Sequence, residues 1–109
     1  MRITLTTTGR RTGEPRPVTL YAWPDGEERL VLVGSQGGKP TDPAWVHNLR
    51  GDPTVTVTRG KRTERWVARE VPDGPERERL WAMVTTAFPH YAAYQRRTER
   101  RIPLFVLTR

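Results

Sequence analysis

Apolar and polar side chains alternate over residues 2–8, "RITLTTT", which predicts a strand with one buried face. "GRRTGEP" breaks the pattern. "RPVTLYAW", residues 16–23, resumes it as a second strand, and "PDGEE" turns the chain. "RLVLVGS", residues 29–35, is nearly all apolar at its centre, as expected of an internal strand. Residues 36–42, "QGGKPTD", read as a loop. Next comes a short helix over 43–53: Asp42 can cap it, Pro43 suits its first turn, and Gly51 and Pro53 end it. "TVTVT" and "RTERWVAREV", joined by "RGK", form a hairpin over 54–71.

From Pro75 the period changes. Leu80, Trp81, Val84 and Ala87 recur at helical spacing; Pro89 interrupts, and 90–101 continues as a second helical piece. "IPLFVLT", residues 102–108, closes the chain as a strand. The expected architecture is mainly β: about six antiparallel strands closed into a barrel, with a short helix between strands and a longer kinked helix before the last strand. Its 109 residues suit one domain over 1–109.

Composition narrows the chemistry. There is no cysteine, so disulfides and thiolate metal sites are excluded, and His47 and His90 are too far apart in sequence to make a helical metal pair. No apolar run is long enough to span a membrane. The net charge is +7, and lysine occurs only at Lys39 and Lys61, so the excess is arginine. That excess reads either as coding bias or as a preference for an anionic partner, since the guanidinium fork matches carboxylates and phosphates.

Three clusters carry candidate chemistry. In "GRRTGEPR" two glycines permit a tight turn whose N–H groups can form an anion nest, flanked by Arg10, Arg11 and Arg16 and the Thr12 hydroxyl. Solvated arginines on a hairpin turn explain the same residues. The P-loop spacing is absent. "GSQGGKPTDPAWVHNL" places Ser35 at the end of a buried strand, then Gly37 and Gly38, then Trp45 and Asn48 one helical turn apart. Taken singly, Trp45 reads as core and Asn48 as a cap on a neighbouring backbone group. In "FPHYAAYQRR", Phe88, Tyr91 and Tyr94 follow one another by a turn and read as either a packed helix face or an aromatic rim. Arg96, Arg97, Arg100 and Arg101 read as a solvated face and as a weak cue for anionic headgroups.

Together "LTTTGRRTGEPR", "SQGGKPTDPAWVHNLRGDPTVTV" and "YAAYQRRTERRIPLFVL" resemble the deazaflavin (F420)-dependent nitroreductase family. The resemblance implies a split β-barrel oxidoreductase. Its cofactor would be coenzyme F420, a deazaflavin with a phosphate and an oligoglutamate tail, and its acceptor a small electron-poor molecule such as a quinone or nitroaromatic. On this resemblance Arg10, Arg11, Thr12 and Arg16 hold the phosphate and glutamates. Thr19, Leu20 and Tyr21 lie along the deazaflavin, Ser35 faces the ring with Gly37 and Gly38 close by, and Pro43, Ala44, Trp45 and Asn48 complete the groove. Phe88, Tyr91 and Tyr94 line the acceptor side, where Ser35, Tyr91 and Tyr94 are the candidates to act on the reacting molecule. Relatives often carry lysine at position 11, proline at 19 and a larger apolar residue at 44.

The alternatives are an FMN- or haem-binding split barrel and a non-catalytic deazaflavin or lipid carrier. A nucleic-acid module fits the charge, but neither a stacking motif nor a recognition helix is evident, so no nucleic-acid partner is expected. The expected location is the cytoplasm, peripheral membrane contact resting only on the arginine run. Monomer and homodimer both stay open.

Overall fold

The computed structural model describes residues 1–109. Seven strands form one antiparallel sheet: β1 (Arg2–Thr8), β2 (Pro15–Tyr21), β3 (Trp23–Pro24), β4 (Arg29–Val33), β5 (Thr54–Arg59), β6 (Arg62–Glu70) and β7 (Leu104–Thr108). Three helices join them: α1 (Ala44–Gly51), α2 (Pro75–Ala87) and α3 (His90–Arg96), with a 3-10 turn at Gln36–Gly38. No helix is long and apolar enough to cross a membrane.

The strand order is β2-β1-β5-β6-β7-β4-β3, so β2 and β3 lie at opposite edges. Only Ala22 separates them in sequence, and it is fully buried. Two residues of chain span at most about 7 Å. The edges must therefore come together, and the sheet curls into a half-barrel. The N-terminus fastens this corner: the Met1 ammonium donates to the Ala22 carbonyl at 2.8 Å, and the Ala22 N–H to the Met1 carbonyl at 2.8 Å. The single strand expected over 16–23 is thus two strands, because the chain changes sheet edge at Ala22.

Burial explains the sequence patterns. In β1 and β5, Ile3, Leu5, Val55 and Val57 point inward while the threonines between them stay partly exposed. β4 and β7 are covered on both faces. Leu30, Leu32, Phe105 and Leu107 join the barrel interior with Val46 and Leu49 of α1. Val31, Val33, Leu104 and Val106 pack under Leu80, Val84 and Tyr91 of α2 and α3. That double covering is why these two strands read as unbroken apolar runs.

Two helix boundaries differ from expectation. Pro43, not Asp42, precedes the first residue of α1, and its carbonyl accepts the Val46 N–H at 3.0 Å. The Asp42 carboxylate is drawn away by Arg50 at 3.0 Å and Arg100 at 2.7 Å. The second helical piece, expected over 90–101, ends at Arg96. The Gln95 side chain closes it, donating to the Arg100 carbonyl at 2.8 Å and accepting the Ile102 N–H at 2.9 Å.

Candidate functional site

Beside α1, between β2 and the Gln36 turn, lies an open cleft with two chemically different ends. The basic end, about 610 Å³, is lined by Thr7, Gly9, Arg10, Arg11, Thr12, Arg16, Pro17, Val18, Gln36, Pro43, Ala44, Trp45 and Asn48. The aromatic end, about 340 Å³, is lined by Val18, Thr19, Leu20, Tyr21, Val33, Ser35, Gln36, Gly37, Pro43, Trp45, Phe88, Tyr91 and Tyr94. Val18, Gln36, Pro43 and Trp45 belong to both ends and form the waist.

The turn at the basic end is built from its own backbone. Gly9 N–H donates to the Glu14 carbonyl and Gly13 N–H to the Gly9 carbonyl, each at 2.8 Å, with Gly13 at φ 74° where a side chain would be strained. Thr12 Oγ1 accepts the Glu14 N–H and Arg16 Nη2, both at 3.2 Å, leaving its own proton to donate outward. Arg10 N–H donates to Asn48 Oδ1 at 3.1 Å. The N–H groups of Arg11 and Thr12 meet no protein acceptor, and neither Arg10 nor Arg11 has an acidic partner. Arg16 has only an exposed Glu14 at 3.8 Å. This end offers several unpaired donors on one exposed surface, the chemistry of a polyanion site.

Asn48 is buried, and its amide nitrogen donates to Thr7 Oγ1 at 3.0 Å. It therefore does both things the sequence allowed: it caps a neighbouring backbone group and borders the cleft. Trp45 is likewise shared, half-buried with its ring 5.9 Å from that of Phe105 while one side borders both ends. Ala44 lies at the basic end.

At the aromatic end Ser35 is half-buried, and its carbonyl is taken by Arg100 Nη2 at 2.7 Å and the Gly38 N–H at 2.9 Å. Tyr91 is buried. Its oxygen accepts Trp23 Nε1 at 2.9 Å, and burial pushes its hydroxyl pKa up. Tyr94 and Phe88 are half-buried, their rings 6.4 Å apart, with the Arg97 guanidinium 5.6 Å from the Tyr94 ring. Gly37 borders this end, whereas Gly38 borders neither. Gly38 is buried against α3, where a Cβ would come within 2.7 Å of the Tyr94 carbonyl oxygen.

The cleft therefore brings together all the predicted positions except Gly38. Sequence reasoning missed Gln36, which touches both ends with backbone φ 45°, rare for a residue with a side chain. Its amide is tied to the Thr41 carbonyl at 2.9 Å. It also missed Trp23, stacked on Tyr21 at 6.0 Å and donating to Tyr91. Part of the C-terminal arginine run is not a free cationic face: Arg100 is enclosed by the loop at 34–42, and Arg101 pairs with Asp73.

The F420H(2)-dependent quinone reductase family matches residues 1–109. An F420H(2)-dependent quinone reductase of Mycobacterium tuberculosis is 41% identical over 107 residues, covering 96% of this chain and 71% of that protein. A solved F420-H2 dependent reductase superposes with TM-score 0.85 at 37% identity, covering 97% of this chain and 92% of the other. A second solved structure, described as a domain-swapped dimer, gives TM-score 0.86 at 37% identity over 97% of this chain and 78% of the other. The split-barrel architecture is shared, and the chain belongs to the F420H(2)-dependent quinone reductase family.

Proposed function

We propose that this protein is an F420H2-dependent reductase acting on a quinone or similar electron-poor small molecule. The observation that carries the reading is the two-ended cleft: unpaired donors at one end, aromatic side chains at the other, and Val18, Gln36, Pro43 and Trp45 shared between them. The residues present fit the cofactor. A tail of phosphate and carboxylates finds Arg10, Arg11, Arg16, the Thr12 hydroxyl and the two free N–H groups, and a flat ring finds Val18, Pro43 and Trp45.

When bound, the reduced deazaflavin supplies the hydride; the protein supplies its orientation. The Asn48 amide holds the basic turn in the shape that presents its donors. Phe88, Tyr91 and Tyr94 give a planar acceptor an aromatic surface to lie against. Burial raises the Tyr91 hydroxyl pKa and so favours the neutral form, which presents a dipole here. Ser35 on the neighbouring loop and Tyr94 on α3 are polar groups at this end suited to hydrogen-bond an acceptor oxygen and deliver a proton as charge develops there.

The test is turnover of reduced F420 with a quinone, followed by the return of oxidised-cofactor absorbance, for the native protein and Ser35→Ala. The native protein should oxidise the cofactor only when the quinone is present. Ser35→Ala should keep its affinity for the cofactor and lose rate. Absence of quinone-dependent turnover in a folded protein that binds the cofactor would leave a carrier.

A further inference from the structure

We propose that Arg100 is a positioning residue that fixes the loop at 34–42 against α3 at the aromatic end. The inference rests on the reductase reading above. Arg100 lies just after α3 in a run of arginines, yet its side chain is 13% exposed. Its Nε donates to the Lys39 carbonyl at 2.8 Å, Nη1 to the Gly34 carbonyl at 3.1 Å and to Asp42 Oδ1 at 2.7 Å, and Nη2 to the Ser35 carbonyl at 2.7 Å. One guanidinium thus gathers both ends and the middle of the loop at 34–42.

That loop contributes Ser35, Gln36 and Gly37 to the lining of this end, and α3, which packs against the loop at Gly38, contributes Tyr91 and Tyr94. The backbone of Arg100 belongs to the α3 side, because its carbonyl accepts Gln95 Nε2 at 2.8 Å. Main chain on the α3 side and side chain on the loop make Arg100 a clasp between the two. Gly38 is the spacer beneath it, since any side chain there would strike the Tyr94 backbone. The clasp is anchored further by Asp42, which also takes Arg50, itself paired with Glu70 of β6 at 2.8 Å. Lysine cannot replace it: an ammonium is a point with three donors, whereas these acceptors surround a planar fork.

Arg100→Lys and Asp42→Asn test this through two readouts. Hydrogen exchange on the cofactor-free protein should accelerate within 34–42 and 96–101 by about tenfold or more, the effect of losing one or two hydrogen bonds, while α2 and β5 stay protected. With reduced F420 and a quinone, kcat should fall about tenfold or more, as a shift near 1 Å at a reacting pair can do. Affinity for F420 should hardly change, because Arg100 touches none of Arg10, Arg11, Thr12 and Arg16 at the tail end. Unchanged local exchange in both variants overturns the clasp, whether or not the protein proves to be a reductase. Accelerated exchange with unchanged kcat overturns the positioning role. Faster exchange spread over the whole sheet, with kcat and cofactor affinity falling together, also overturns it, because Arg100 would then be serving stability alone.

Discussion

The Asn48 side chain reaches a residue 38 positions earlier in the chain: its Oδ1 accepts the Arg10 N–H at 3.1 Å while its Nδ2 donates to Thr7 Oγ1 at 3.0 Å. One buried amide thereby links α1, β1 and the basic turn. Asn48→Ala would leave the Arg10 N–H without an acceptor and deprive Thr7 Oγ1 of its donor, keeping only the long 3.5 Å bond from the Thr7 hydroxyl to the Arg16 carbonyl, at a cost of about 1–3 kcal/mol. Denaturant unfolding should show that loss. Fluorescence titration should show weaker binding of full-length F420 than of the tail-less chromophore, relative to the native protein. An equal loss for both ligands would mean that Asn48 does not shape the tail end.

Arg10 and Arg11 are exposed and have no acidic partner. Reversing both to Glu should weaken F420 binding at least tenfold, about 1.4 kcal/mol. Exposed charges are screened within about 10 Å at 0.1 M salt, so native affinity should also fall as salt rises, and the variant's should respond less. Stability should not change. A salt-independent affinity in the native protein would remove the electrostatic reading of this turn.

The two tyrosines of α3 should separate experimentally. Tyr91→Phe deprives Trp23 Nε1 of its acceptor, so it should lower stability by about 1 kcal/mol with F420 affinity intact. Tyr94→Phe keeps the ring that packs against the core and removes only its hydroxyl, and should instead reduce turnover of the quinone. If Tyr94→Phe weakened cofactor binding as much as it lowered turnover, the aromatic end would belong to the cofactor.

Acid stability is held by carboxylates clasped between arginines. Hydrogen bonds from Arg69 and then Arg29 lower the Glu76 pKa from its ordinary 4.5 to about 2. The unfolded chain therefore takes up this proton first as pH falls. The stabilisation is complete above about pH 4.5 and disappears as pH approaches 2. Glu76→Gln should be less stable than the native protein near neutrality, and unfolding curves should show the gap closing over that window. A gap that stays constant with pH would assign the difference to packing.

Much of this arrangement was legible in the sequence where one local pattern had one physical cause. Alternation in β1 and β5 reported a sheet with one wet face, and the unbroken apolar runs of β4 and β7 reported coverage on both faces. The glycines and arginines of the basic turn stood out as a cluster, although solvated arginines on a hairpin turn fit the same residues. The misses involve long-range partners. Alternation runs through Ala22 and cannot reveal that the chain changes sheet edge there. Asp42 had the right place for a cap, but two distant arginines outbid the helix for its carboxylate. Arg100 looked like its solvated neighbours because only the fold brings the carbonyls of 34–42 around it. Gln36 carried no signal, since a positive φ is expected of glycine; here Gln36 adopts it with its amide held by Thr41 of the same loop.

The central claim is that the basic turn selects a polyanionic deazaflavin, and comparative calorimetric titration with oxidised F420 and FMN tests it most directly. Both ligands offer a flat ring to Val18, Pro43 and Trp45, so the ring contacts discriminate little. FMN ends in one phosphate, fewer acceptors than Arg10, Arg11, Arg16, Thr12 and the free N–H groups can serve. Linked contacts along a carboxylate tail add through effective concentration, so F420 should bind at least tenfold more tightly at moderate salt, a difference of about 1.4 kcal/mol. FMN binding as tightly as full-length F420 would contradict the account.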